Sequence, residues 1–79
     1  MAEQRFNKGS EEWMMFMDFW KLCQYYWEPE NSQEYWKNMS ESVVSVGNKY
    51  QSIPLARIIA MGFMDSVEFK AKQMNIPFS

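Results

Sequence analysis

Between Glu11 and Trp27, twelve of seventeen residues are apolar or aromatic. At about 100° per residue they fall into two neighbouring seams. Trp13, Phe16, Trp20 and Trp27 form one, and Met15, Phe19, Leu22 and Tyr26 form the other, with Cys23 between them. Glu11, Asp18, Lys21 and Glu28 take the side facing water. A helix that buries two seams needs two neighbours, so the pattern predicts a central, aromatic-rich first helix over about residues 11–27. Ser10 offers an N-cap hydroxyl, and Glu11 and Glu12 stand where the helix dipole favours negative charge. Pro29 ends the helix, because it disfavours the α conformation at Glu28 and cannot continue the backbone ladder.

After the short connection Glu28-Pro-Glu-Asn, Asn31 with Glu34 three residues later makes a capping box for a second helix, over about residues 32–50. Trp36, Met39, Val43, Val46 and Tyr50 recur at spacings of three and four, a single seam flanked by Tyr35 and Val44 and hence one buried face. The β-branched residues and the glycine in Ser42 to Gly47 each lower helix propensity by up to about 1 kcal/mol. The helix therefore has two candidate ends, near Gly47 or at Tyr50.

Gln51-Ser-Ile-Pro is the second connection, and Pro54 opens a third helix at its first position, over about residues 54–74. Ala56, Ile59, Ala60, Phe63, Val67, Ala71 and Met74 share one face, with Arg57, Asp65, Glu68 and Lys72 opposite. Ala56, Ala60 and Gly62 are small enough to bring this helix close to the bulky aromatics of the first. Lys70 and Lys72 suit the C-terminal end of the dipole, and Asn75 and Pro77 stop the helix. Ile76 and Phe78 then fold back on the bundle or fray. Short loops join antiparallel neighbours. The expected fold is thus a single all-α domain over residues 1–79, a compact three-helix bundle in up-down-up order. Residues 1–9 are a flexible lead-in with Phe6 as a possible anchor, and Trp20 and Phe63 are expected core residues.

A 79-residue chain buries only about 60 to 65% of its unfolded surface, so it needs a dense core or a staple. One cysteine and no histidine leave no internal disulfide and none of the usual zinc sets. Four Trp, four Tyr and six Phe supply the density. The lone Cys23 and an opening Met1-Ala2-Glu3-Gln4 without a signal-peptide pattern lead us to expect a reducing cytoplasm. The longest unbroken apolar run, Trp13 to Met17, is far short of the roughly 20 residues that span a membrane. A net charge of −2 with eight scattered basic residues gives no footprint for nucleic acid.

Candidate chemistry is sparse. Cys23 has no histidine to activate it, and a position between two apolar seams raises its thiol pKa, so it reads as a structural cysteine. Glu11 with Glu12, and Glu28 with Glu30, read as solvated helix ends rather than acid and base pairs. The three separated glycines make no phosphate loop, and the carboxylates lack the spacing of a calcium loop. Trp13 and Trp36 could suggest a WW-type module, but the helical period around both opposes a small antiparallel sheet. The expectation is a chain that is not an enzyme and takes no cofactor, metal or small-molecule substrate.

What a solitary bundle does not absorb is its leftover apolar residues. Met14, Met17 and Tyr25 lie on the charged side of the first helix, and Leu55, Ile58, Met61 and Phe69 lie off the main seam of the third. Together with eight methionines they point to a contact surface for another protein or a second copy, since Met adapts to a partner and aromatics anchor one. The competing reading is a phase error of about 20 to 40° that returns some of them to the core.

The segment Phe6-Asn-Lys-Gly-Ser-Glu-Glu-Trp13, followed by Asp18-Phe-Trp-Lys-Leu22, Trp27 and Tyr35-Trp36, resembles small uncharacterised proteins encoded in phages and prophages of Gram-positive bacteria. The likeness covers roughly the first half, with Leu55-Ala-Arg57 similar in the last helix, and departs from it in the β-branched stretch Ser42 to Tyr50. It brings no catalytic motif. It implies a phage accessory protein in the cytoplasm of an infected or lysogenic host, of the size at which inhibitors of host or defence proteins occur. The sequence thus leads to a non-enzymatic protein-interaction module. A structural homo-oligomerisation unit and an interfacial membrane-binding helix protein are the alternatives, the latter weakened by the acidic side of the first helix.

Overall fold

Each helix starts where its first turn is capped or needs no cap. In the computed structural model, which describes residues 5–76, these starts open α1 (Glu11–Tyr26), α2 (Gln33–Lys49) and α3 (Pro54–Gln73). Ser10 Oγ accepts from the Trp13 amide at 3.3 Å. The cap of α2 is Ser32 rather than Asn31: its backbone is extended and its Oγ accepts from the Tyr35 amide at 3.1 Å. That shift puts Glu34 one position too early for a capping box. Pro54 opens α3, where a missing amide costs nothing.

The ends follow the same logic. α1 stops at Tyr26, with Trp27 as its C-cap and Pro29 buried just beyond. α2 runs through Gly47 to Lys49, because Val43 and Tyr50 on either side of the glycine are buried and tertiary packing outweighs weak local propensity. At the end of α3, Asn75 takes φ 59°, the left-handed conformation that asparagine tolerates best after glycine. The Ile76 amide then bonds the Ala71 carbonyl at 2.8 Å and the Asn75 amide the Lys72 carbonyl at 3.2 Å, a Schellman closure. Ile76 packs against the core. Phe78 and residues 1–4 of the lead-in lie outside the described residues.

Contacts at both ends fix the order as up-down-up. Glu11 of α1 meets Ser52 just before α3, and Trp27 and Glu28 meet Lys70, so α1 and α3 run parallel. Asp18 meets Lys49 and Tyr50 while Tyr26 meets Ser42, so α2 runs antiparallel to α1. The core is Met15, Phe19 and Leu22 of α1, Tyr35, Trp36, Met39, Val43 and Tyr50 from α2 and its end, and Ala56, Ala60, Phe63, Val67 and Ala71 of α3. The fold is the expected all-α three-helix bundle, and no strand occurs among the described residues.

Two expectations about packing need correction. α1 is not the hub: all three helix pairs touch, but the most extensive contact joins α2 and α3. Small residues of α3 also do not all serve α1. A Cβ built at Gly47 would stand 3.8 Å from that of Ala60, so the close approach is α2 to α3, while Gly62 faces open space.

The core assignment gives a mutational contrast. Phe63→Ala should cost about 3 to 5 kcal/mol, enough to unfold a domain this small, whereas Trp20→Ala should cost under about 1 kcal/mol. Thermal melts followed by far-ultraviolet circular dichroism separate the two, and a Trp20 variant as damaged as the Phe63 variant would return Trp20 to the core. Gly47→Ala should gain up to about 1 kcal/mol of helix propensity, because its new methyl meets Ala60 at ordinary van der Waals distance. Its melting point should rise by about 4 to 8 °C per kcal/mol gained, and a fall would mean that α2 and α3 leave no room there.

Candidate protein-interaction surface

Of the two seams of α1, one is buried. Met15, Phe19 and Leu22 enter the core, while Phe16, Trp20 and Trp27 are 40, 57 and 52% exposed. Trp20 is therefore a surface residue, contrary to its expected place. The reason is geometric: seam centres about 100 to 120° apart exceed the stripe that two neighbouring helices cover. Trp13 is half-buried at the start of the exposed seam. Phe6 stacks on Phe16 with ring centroids 5.8 Å apart, so the lead-in is anchored on this outer seam rather than on the core.

The exposed seam lies on the α3 side of α1. Lys70 Nζ sits 4.3 Å from the centroid of the Trp27 ring, donates to the Trp27 carbonyl at 2.9 Å and pairs with Glu28 at 3.3 Å. The cross-links between the two parallel helices join residues 41 to 43 apart. In that register Trp13 is level with Leu55, Trp20 with Gly62 and Trp27 with Phe69. Leu55, Gly62 and Phe69 are spaced seven apart along one line of α3, all exposed, with Ser66 beside them. Phe69 is 61% exposed. The outer side of the α1–α3 pair is thus an aromatic and aliphatic face, free of charge along its middle, with a notch at Gly62. That glycine lies mid-helix at about 0.8 to 1 kcal/mol below alanine, and nothing lies within 4 Å of where its Cβ would stand.

The seven residues singled out from the sequence distribute over four places. Met14, Tyr25, Leu55, Ile58, Met61 and Phe69 are exposed, and Met17 is half-buried. Leu55 and Phe69 belong to the outer α1–α3 face. Ile58 and Met61 line a groove of about 820 Å³ between α2 and α3, with Val43, Val44, Gly47 and Met64. Tyr25 stands edge-on to Tyr26, ring centroids 4.7 Å apart, above a polar recess that Glu30, Ser32 and Glu34 line. Met14 and Met17 share the flank of α1 turned away from the core. Phe16, Trp20 and Trp27 were missed, although two seams on one helix of a small bundle already signalled a surplus.

The ionisable groups near these surfaces serve the fold. Asp18 accepts from Tyr50 Oη and pairs with Lys49 at 3.1 Å. Burial alone would raise its pKa, but the hydrogen bonds from Tyr50 and Lys49 and the nearby ammonium groups outweigh this and hold it below the ordinary value. Tyr35 donates to the Tyr26 carbonyl at 2.7 Å. Burial, with the Glu30 carboxylate adding to it, pushes its hydroxyl up to about 12. Cys23 is half-buried and its thiol is raised by burial, which keeps it protonated and a poor nucleophile. Among the described residues no three of His, Cys, Asp or Glu gather as a metal site. No helix there is long and apolar enough to cross a membrane.

Two pH dependences follow. Asp18, with a lowered pKa in the fold, contributes stability that is present above its ordinary value near 3.8 and lost as the pH falls through its folded value. Tyr35, with a raised pKa, contributes stability that is full below about 10 and lost as the pH rises towards about 12. Acid and alkaline titrations by circular dichroism should flatten selectively, the acid limb for Asp18→Asn and the alkaline limb for Tyr35→Phe. Unchanged limbs in both variants would show that neither group governs its transition.

Comparison with protein-family models, with curated proteins and with solved structures finds no match to this chain, so the surface is read from its own chemistry.

Proposed function

We propose that the chain is a non-enzymatic protein-interaction module that works by presenting the outer α1–α3 face to another protein chain. What carries this reading is the seam Phe16, Trp20 and Trp27, which a monomer leaves 40 to 57% exposed. Large aromatics held on a rigid helix lose little entropy on docking and are the side chains most often found as binding anchors. A charge-free centre ringed by Glu12, Glu28 and Lys70 matches the depletion of charge at interface cores. The resemblance of the first half to small phage and prophage proteins supports a setting in an infected or lysogenic bacterium, where the module occludes a host or defence protein. A structural homo-oligomerisation unit is the second reading, favoured by the self-matching of knob and notch on one face. Binding to a lipid surface is disfavoured by the mixed-sign rim, since interfacial helices border their apolar face with Lys and Arg.

The reading is tested with tagged wild type and Trp20→Glu, each expressed beside an untagged copy in a Gram-positive host and recovered from its cytoplasm. Mass spectrometry should find that wild type retains a protein, foreign or the untagged copy, which the variant loses although its helicity is intact. Identical recoveries from wild type and variant would sink the face as an interaction site.

A further inference from the structure

We infer that the outer α1–α3 face is covered by a second copy of this chain, with Trp20 of each copy seated in the notch over Gly62 of the other. The inference rests on the reading of this face as an interaction surface and takes a second copy, in place of a host protein, as its occupant.

Area is the first consideration. Phe16, Trp20, Trp27 and Phe69 are 40 to 61% exposed. At about 200 Å² per aromatic side chain these four leave on the order of 400 Å² uncovered. Phe6 and Leu55, 46 and 42% exposed, bring the face to roughly 600 Å², against the ~800 Å² that each partner contributes to a standard interface.

Self-complementarity is the second. The face carries both a projecting aromatic and an empty notch, and the register of α1 against α3 sets them at the same height. A two-fold axis parallel to the helices keeps heights matched and lays α1 of each copy against α3 of the other. Trp20 then meets Gly62, Trp27 meets Phe69 and Trp13 meets Leu55, each contact made twice, as an isologous interface requires. A foreign protein would have to supply its own knob for Gly62 and its own recess for Trp20. Charge is sparse along the pairing: no charged residue lies between Trp13 and Trp27 on the exposed seam, and on α3 the exposed Asp65, one turn beyond Gly62, stands at the border of the facing line.

The experiment is sedimentation equilibrium of the full chain over a dilution series, with circular dichroism as the control for folding. Wild type should pass from 9.5 kDa to twice that mass as concentration rises. Trp20→Ala should weaken the dimer by about 30-fold or more, the loss expected of a central aromatic anchor. Gly62→Leu is the sharper variant. It places a good helix former in open space, so its monomer should melt no lower than wild type, yet it fills the notch and should weaken the dimer at least as much. Gly62→Ala, with one methyl, should do so by only a few-fold. A wild type that stays at 9.5 kDa at millimolar concentration overturns the dimer, and so does a Gly62→Leu variant that dimerises as tightly as wild type. The two readings fail separately. A monomeric wild type that still loses a captured foreign protein on Trp20→Glu ends the dimer and leaves the interaction face standing, whereas a monomeric wild type with unchanged recoveries ends both.

Discussion

Most of the molecule follows from how much of one helix a three-helix bundle can cover. Two neighbours touch a helix over a stripe about 100 to 140° wide. α2 and α3 respect this limit, with one main seam each, buried except for the partly buried Val46 and Ile59 and the exposed Met74 at the end of α3. α1 does not: its apolar side chains cover about twice that arc, and the bundle must leave one seam outside. Met15, Phe19 and Leu22 point inward, and the Asp18 carboxylate on their α2 flank meets Lys49 and Tyr50 at the end of α2. Phe16, Trp20 and Trp27, rotated by about 100°, can then only flank α3.

The distribution of small residues completes that arrangement. Ala60 of α3 faces Gly47 of α2, where an added Cβ would stand 3.8 Å from that of Ala60, and those two helices share the most extensive contact of the bundle. α1 brings Met15, Phe19 and Leu22 to the core. The aromatic wealth of this chain is divided. Phe19, Tyr35, Trp36, Tyr50 and Phe63 belong to the core, beside Met15, Met39, Val43 and Val67 at under 2% exposure, flexible and medium-sized side chains that fill irregular space well. The tryptophans, whose flat rings need a flat partner, are left at the rim, apart from Trp36.

The helices themselves were legible in the sequence because their signals are local. Ser10, Pro29 and Pro54 act through the backbone of their own turn, and the seams of α2 and α3 each have one solution. The cap of α2 was misplaced by one residue because Asn31 and Ser32 are both good caps and only the extended backbone at Ser32 separates them. The face of α1 was not legible for a different reason. Its two seams are nearly equal in hydrophobicity, so the sequence periodicity permits either, and the choice depends on tertiary contacts remote in sequence, among them core packing and the Asp18 links to Lys49 and Tyr50 31 and 32 residues away. Of the surface residues named from the sequence, Leu55 and Phe69 lie on the face now singled out. Met14 and Tyr25 had the same exposure signal without a neighbouring helix to extend it.

The same constraint shows in the ionisable groups that join the helices. Three ionisable groups join elements of the bundle: Asp18 joins α1 to α2, Lys70 joins α3 to the end of α1, and Tyr35 closes the connection between α1 and α2 through the Tyr26 carbonyl. A carboxylate recruited in this way has its pKa driven down by donors, and a phenol so recruited has its pKa driven up by burial, so both are moved away from the range in which they could exchange protons near neutral pH. Cys23 is moved in the same sense. What remains available for recognition is shape and apolar area, and both are concentrated where the surplus seam of α1 lies beside the glycine notch of α3. The proposed interaction therefore depends on fit rather than on charge, and it requires a partner that offers a projecting aromatic level with a vacant backbone.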